Sequence, residues 1–238
     1  MFIEKYYNES SNGEISFTRQ QASDFAKKVA DDFNPLHNVD AKRFCVPGDL
    51  LFSIILTKSG LHKQMSFTFS GMVTDNVSLT FPAEITDKAA IVDNNNKEYL
   101  QIMVCGEHTN NSALIESLTR AYVEFSGHTF PHLLVKLMTE NKVMINPARP
   151  MIMYQSMSID MYRFDIQDIN LRLAQTSLSI DGKRGDAWLA FDLLSGDEVI
   201  GQGRKHMLLS GLREYCQETI NAVIDQYNQS KTEFSSSV

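Results

Sequence analysis

The stretch Leu50-Leu51-Phe52-Ser53-Ile54-Ile55-Leu56 constrains the fold more than any other part of the chain. Gly48-Asp49 precedes it and Gly60 follows, a start and a stop for a helix, with Asp49 expected as the cap of the first turn. A helix that is apolar nearly all round has no face to offer water, so it must be enclosed on most sides. The next residues supply the enclosure. Met65, Phe67 and Phe69 alternate with polar neighbours, as do Val77, Leu79 and Phe81, and then Leu100, Ile102 and Val104. That is the period of half-buried strands. The run 113–125 is long enough for a fourth strand, and Asn94-Asn95-Asn96 and Asn110-Asn111 mark turns between runs.

The pattern then restarts. Phe130, Leu133, Leu134, Leu137 and Met138 recur at helical spacing, and four strand-like runs follow at about 157–164, 171–180, 187–194 and 199–209. Gly182 and Gly196 sit in the hairpin turns between the later runs. A final helix carries Leu212, Tyr215, Ile220, Val223, Ile224 and Tyr227, and the polar, Ser-rich residues 231–238 are expected to be disordered. Helix then four strands, twice over, predicts an α+β arrangement whose halves meet near Gly127. Pairing the two sheets edge to edge would also hide exposed strand edges.

Composition narrows the function classes. Lys and Arg number 22 against 29 Asp and Glu, a net charge of −7, which argues against a protein built to coat nucleic acid. No run of 18 apolar residues offers a membrane span, and MFIEKYYNESSNGE contains no stretch of signal-peptide length, so a cytoplasmic location is expected. Three cysteines, Cys45, Cys105 and Cys216, are far apart and odd in number, which fits a reducing compartment. Cys45 precedes a helix start, but packing is its expected role. His128 and His132 stand four apart with Pro131 between them and no carboxylate in the pattern, so no metal site is expected. The eleven methionines, Met144, Met151, Met153, Met157 and Met161 among them, suggest an adaptable apolar surface, with ordinary core filling the default.

Chemistry concentrates upstream. Thr18-Arg19-Gln20-Gln21 reads as a capping box, opening a helix with Ala22, Phe25, Ala26, Val29, Ala30 and Phe33 on its apolar face. The helix must end near Asn34-Pro35, because the residue before proline is pushed out of the α region. The segment Asp32-Phe33-Asn34-Pro35-Leu36-His37 therefore leaves a helix with a carboxylate, turns, and presents an imidazole. The break folds His37 back toward Asp32, and a carboxylate and an imidazole converging on one point can hold a water as general base and acid. Asn34 would fix the loop or orient a substrate carbonyl. The plainer reading is a helix end, a turn and an exposed histidine.

Residues 18–56, with Phe17, the Asp32–His37 segment, and Val46 and Gly48 opening the central helix, resemble the start of the MaoC-like, (R)-specific enoyl-CoA hydratases, which have the hotdog fold. Phe67–Gly71 and Leu79-Thr80-Phe81-Pro82 resemble that family's next strands. With the repeated order of elements, the resemblance implies two fused hotdog units, each an antiparallel sheet wrapped around a central helix. Residues 1–127 would form the motif-bearing unit, 128–230 a unit without the motif, and 231–238 a tail. It implies hydration of trans-2-enoyl-CoA to (R)-3-hydroxyacyl-CoA. Asp32 and His37 would activate water, Asn34 would orient the site, and the Gly48 N–H would meet the thioester oxygen. No cofactor is implied, since coenzyme A arrives as part of the substrate, and a homodimer is compatible. The chain reads Pro47-Gly48 where that family commonly reads His-Gly, and Asp49 follows at once. Arg204 and Lys205 are candidate contacts to coenzyme A phosphates, although strand alternation sends them to opposite faces. Two other readings remain open: acyl-CoA thioester hydrolysis on the same fold, and a non-catalytic module binding an acyl thioester or a partner.

Overall fold

A computed structural model describes residues 2–237. Among the described residues the α-helices are α1 (Arg19–Lys28), α2 (Gly48–Ser59), α3 (Ser112–Gly127), α4 (Leu134–Glu140) and α5 (Gln217–Ser237). In the first half the strands are β1 (Asn8–Glu9), β2 (Ile15–Ser16), β3 (Leu61–Phe69), β4 (Leu79–Thr80), β5 (Lys88–Asp93) and β6 (Glu98–Thr109). The second half holds β7 (Val143–Met144), β8 (Ile152–Met161), β9 (Asn170–Asp181), β10 (Arg184–Ser195), β11 (Glu198–Ser210) and β12 (Arg213–Glu214). The result is a mixed α+β protein built on one large antiparallel sheet.

Ten strands form that sheet, in the order β1-β2-β4-β5-β6-β3-β8-β11-β10-β9, while β7 and β12 pair separately. Its seam is β3 against β8, with Met65 opposite Ile159 and Phe67 opposite Met157. Outward from the seam each half repeats one rule. Its first long strand is central, its last lies next, and the remainder follow in reverse chain order. Edge-to-edge joining of the halves is thus what the structure shows.

Helix α2 is as enclosed as its composition demands. Leu50, Phe52, Ile54, Ile55 and Leu56 are 0% exposed, each burial contributing about 1.5–3 kcal/mol. Phe52 packs edge-on to Phe67 of β3, 5.2 Å between centroids, and to Tyr122 of α3 at 4.9 Å.

Residues 113–125, expected as a strand, are helix α3. The reason is legible in the side chains: Leu114, Leu118 and Tyr122 are fully buried, with Ile115 and Val123 beside them, a helical rather than an alternating spacing. Asn111, expected in a turn, is the N-cap, its side chain accepting from the N–H groups of Ala113 and Leu114 at 3.1 and 3.3 Å. The helical segment expected over 130–139 is the continuation of α3 past a break. Phe130, held before Pro131, has non-helical φ −116°, ψ 137°. Leu134, Leu137 and Met138 of α4 then cover Ala187, Leu189, Met207 and Leu209 on β10 and β11.

Two boundaries also differ from expectation. The capping box holds, with Thr18 Oγ1 accepting from Gln21 N–H at 3.1 Å and Gln21 Oε1 from Thr18 N–H at 3.0 Å. But α1 ends at Lys28, and the chain turns at Asp31, φ 53°, a conformation aspartate tolerates. At the other end, residues 231–237 continue α5, where Lys231 pairs with Asp31 and Phe234 packs on Phe33 at 5.7 Å. Val238 lies outside the described residues. Among the described residues no helix is long and apolar enough to cross a membrane.

Candidate active site

The Asp32–His37 segment folds through its own side chains. Asp32 Oδ1 accepts the Asn34 N–H at 2.9 Å, and Asn34 Oδ1 accepts the Leu36 N–H at 3.1 Å. These are two successive Asx turns. Asn34 therefore shapes the loop through its carbonyl. Pro35–His37 forms a single 3-10 turn, which brings the His37 ring back toward the carboxylate. His37 Nδ1 lies 2.7 Å from the Cys45 carbonyl oxygen. A carbonyl only accepts, so Nδ1 carries the hydrogen and Nε2 is the free position. Nε2 stands 3.7 Å from Asp32 Oδ2, beyond a direct hydrogen bond. Cys45 serves as backbone: burial pushes its thiol up to about 12, far from a nucleophile's range.

Across the cavity lies the start of α2. Pro47 occupies the N-cap and supplies no side-chain cap; its carbonyl accepts the Leu50 N–H at 3.1 Å, while the N–H groups at the first two positions, Gly48 and Asp49, have no carbonyl of the helix to bond. Gly48 is closely packed there. A Cβ at this position would lie 3.0 Å from both Phe69 Cε1 and Tyr154 Cδ1.

Asp49 does not cap its helix. Its carboxylate turns inward, where Oδ2 accepts the Ser126 hydroxyl hydrogen at 2.5 Å. Lys205 Nζ in turn donates to Ser126 Oγ, and it sits 4.6 Å from the centroid of the Tyr154 ring. Asp49, Ser126 and Lys205 are only 9%, 5% and 5% exposed. Asp49 Oδ1 is buried with no hydrogen-bond partner. Burial raises the Asp49 carboxyl above its ordinary range, opposed by the Lys205 charge and the Ser126 hydrogen bond. Burial also lowers the Lys205 ammonium, opposed by Asp49 and Asp32. Beside them the Tyr122 and Tyr154 hydroxyls meet, both held well above the usual phenol range by burial. The serine reaches this place because α3 ends almost in contact with the backbone after α1. A Cβ on Gly127 would fall 1.6 Å from the Ala30 carbonyl oxygen, so only glycine allows the approach.

One cavity of about 620 Å³ joins these groups. Asp32, His37, Gly48, Asp49, Ser126 and Lys205 line its polar part, and Met151, Met153, Met207, Leu134 and Ile145 line an apolar part. Tyr227 of α5 also lines it, with a hydroxyl that accepts from Phe33 N–H and donates to the Asp31 carbonyl, both at 3.2 Å. The methionines divide: Met151 and Met153 face the cavity, while Met144, Met157 and Met161 are core.

The structure places Asp32, Asn34, His37 and Gly48 on one cavity and separates Arg204 from Lys205. Arg204 is exposed. Lys205 belongs to the buried cluster, so the two do not form a phosphate patch. Among the described residues no three or more His, Cys, Asp or Glu side chains are placed to hold a metal. His128 instead faces Asp31, 3.3 Å from Nε2 to Oδ2. Sequence reasoning expected Asp49 as the cap of its helix and missed Ser126 as a cavity group. The signal for Lys205 was present, since it shares its strand register with the buried Gly203, Met207 and Leu209.

The family model described as "Protein of unknown function (DUF3581)" matches residues 1–218. The chain belongs to this family. The likeness of its Asp32–His37 segment to the MaoC-like hydratases is accordingly one of motif. No curated protein matches the chain. Among solved structures, it is similar to an acyl-CoA thioesterase II, TesB2, from Mycobacterium marinum, at TM-score 0.46 and 7% identity, covering 91% of this chain and 99% of that one. It is also similar to a candidate thioesterase II from Thermobifida fusca YX, at TM-score 0.41 and 8% identity, covering 70% and 87%.

Proposed function

We propose that this DUF3581 protein hydrolyses acyl thioesters on a fold of two fused hotdog units, with coenzyme A entering only as part of the substrate. One observation carries the reading: the start of α2, without a side-chain cap, and the Asp32–His37 pair line a single cavity that continues into an apolar part. The acyl chain occupies the methionine-lined part. The thioester oxygen meets the Gly48 N–H, where a helix start offers free donors and a partial positive charge to a developing oxyanion. His37 Nε2 and Asp32 Oδ2, 3.7 Å apart, hold a water between them and withdraw its proton as its oxygen bonds to the acyl carbon. The C–S bond breaks, and the proton passes to the departing thiolate.

That gap between Asp32 and His37 also favours a second reading. A base and an acid flanking one water are what hydration of an enoyl thioester needs. The product separates the two. Wild-type protein is incubated with short, medium and long acyl-CoAs and with crotonyl-CoA, following free thiol and enoyl absorbance together. Thiol release supports hydrolysis; loss of enoyl absorbance without thiol selects hydration. Binding with neither change leaves an acyl-thioester-binding module and ends both enzymatic readings.

A further inference from the structure

We propose that Ser126 is a nucleophile that takes the acyl group covalently before water removes it, which rests on the thioester reading above and deepens it. The motive is the arrangement of three buried groups that shaping a loop does not require. The Ser126 hydroxyl donates to Asp49 Oδ2 at 2.5 Å and receives Lys205 Nζ, and all three line the cavity. A nucleophile hydrogen-bonded to a base is the general form of an activated serine, and here a buried cation also holds the serine oxygen itself. Asp49 adds a buried Oδ1 that no group in the described structure satisfies. Such an orphaned acceptor is costly to keep, and it lies at the start of the same helix whose Gly48 N–H would receive the oxyanion.

The steps balance without any further reagent. Ser126 Oγ bonds to the acyl carbon as its proton passes to Asp49, while Lys205 steadies the negative charge on Oγ and the helix start steadies the oxyanion. The C–S bond then breaks, and the thiolate leaves with the proton from Asp49. In the second stage the water held by Asp32 and His37 attacks the acyl–Ser126 ester, and the serine oxygen recovers a proton as the carboxylic acid departs. The two polar clusters thus act in turn, the buried one in acylation and the loop in deacylation.

Two measurements on the full chain test this. In the first, wild type is mixed with octanoyl-CoA, quenched in acid within milliseconds to seconds, and mapped by mass spectrometry. An octanoyl mass on the peptide bearing Ser126 is expected, and Asp32→Asn should accumulate it by slowing deacylation. In the second, a fluorophosphonate probe, which labels activated serines whether or not thioesters are turned over, should modify Ser126 in wild type and at least ten-fold more slowly in Asp49→Asn. Ser126→Cys preserves a nucleophile should Ser126→Ala fold poorly, and it should also become acylated. Thiol release without any acyl group or probe on Ser126, or Ser126→Ala turning over at the wild-type rate, overturns the proposal and leaves hydrolysis by direct water attack. Probe on Ser126 with no thiol release from any acyl-CoA overturns the thioester reading and keeps the activated serine. Neither label nor release overturns both.

Discussion

Two polar clusters border the cavity, and they are built in opposite ways. Asp32 and His37 belong to a loop, their side chains 25% and 12% exposed, with a gap of 3.7 Å and local Asx turns holding their backbone. Asp49, Ser126 and Lys205 come from two helices and a strand, are nearly sealed from water, and are joined by direct hydrogen bonds through Ser126. The same residue type consequently carries different physics. A partly hydrated carboxylate keeps its solvent partners, whereas a desolvated one depends on the cation beside it. The open cluster can change with little effect on the fold; the closed one cannot.

Lys205→Met should give the largest loss of stability. Removing the cation strands a buried carboxylate, at about 3–5 kcal/mol at neutral pH. Asp49 then ionises only at still higher pH, because its carboxyl, already raised by burial, loses its opposing charge. A carboxyl raised in the folded state costs stability progressively as pH climbs from its unfolded to its folded pKa, and the cost is gone below the unfolded one. The deficit should therefore shrink as pH falls, and adding Asp49→Asn should recover much of it at pH 7. Urea titrations of the three proteins across pH 5–8 measure this, and a Lys205→Met deficit that grows on acidification would break the comparison.

Gly48→Ala should come next, costing about 1–3 kcal/mol, since its methyl must displace the Phe69 or Tyr154 ring. Thermal unfolding that matches wild type would mean the rings yield freely. Tyr227→Phe removes one acceptor and one donor that tie α5 to Asp31 and Phe33, at about 0.5–1.5 kcal/mol per hydrogen bond lost. A Phe33 amide that exchanges more slowly in wild type than in the variant is the hydrogen-exchange signature. The smallest effect falls on the open cluster. Asp32→Asn retains an oxygen for the Asn34 N–H, so stability should stay within about 0.5 kcal/mol. Turnover should nevertheless fall by about 10²–10⁴-fold if Asp32 handles the water.

The open cluster was readable in the sequence because its geometry is local. Five residues, two of them Asx-turn formers and one a proline, settle where His37 goes relative to Asp32. The closed cluster joins positions 49, 126 and 205, and no local rule links them. Reading 113–125 as a strand removed Ser126 from any helix face, although the spacing of Leu114, Leu118 and Tyr122 was helical. Asp49 was expected as a cap because helix starts prefer aspartate; the pull of a buried serine and lysine outweighs that preference. Helix α2 was legible for the converse reason, since an all-apolar helix has only one kind of place to go. The final turns of α5 were not, because the polar residues 231–237 owe their order to Asp31 and Phe33, about two hundred positions away.

The β3–β8 seam has a consequence for how this chain can be cut. β3 is paired on one side by β6, from its own half, and on the other by β8, which begins some ninety residues later. A fragment ending at Gly127 would keep α2 and α3 yet present the free edge of β3, a row of unpaired N–H and C=O groups beside Met65 and Phe67. Such an edge is a template for joining other chains. Long-range closure of this kind also slows folding, because the loop must form before the pairing rewards it. During synthesis, then, the first half emerges with its central strand waiting for a partner that the ribosome has yet to deliver.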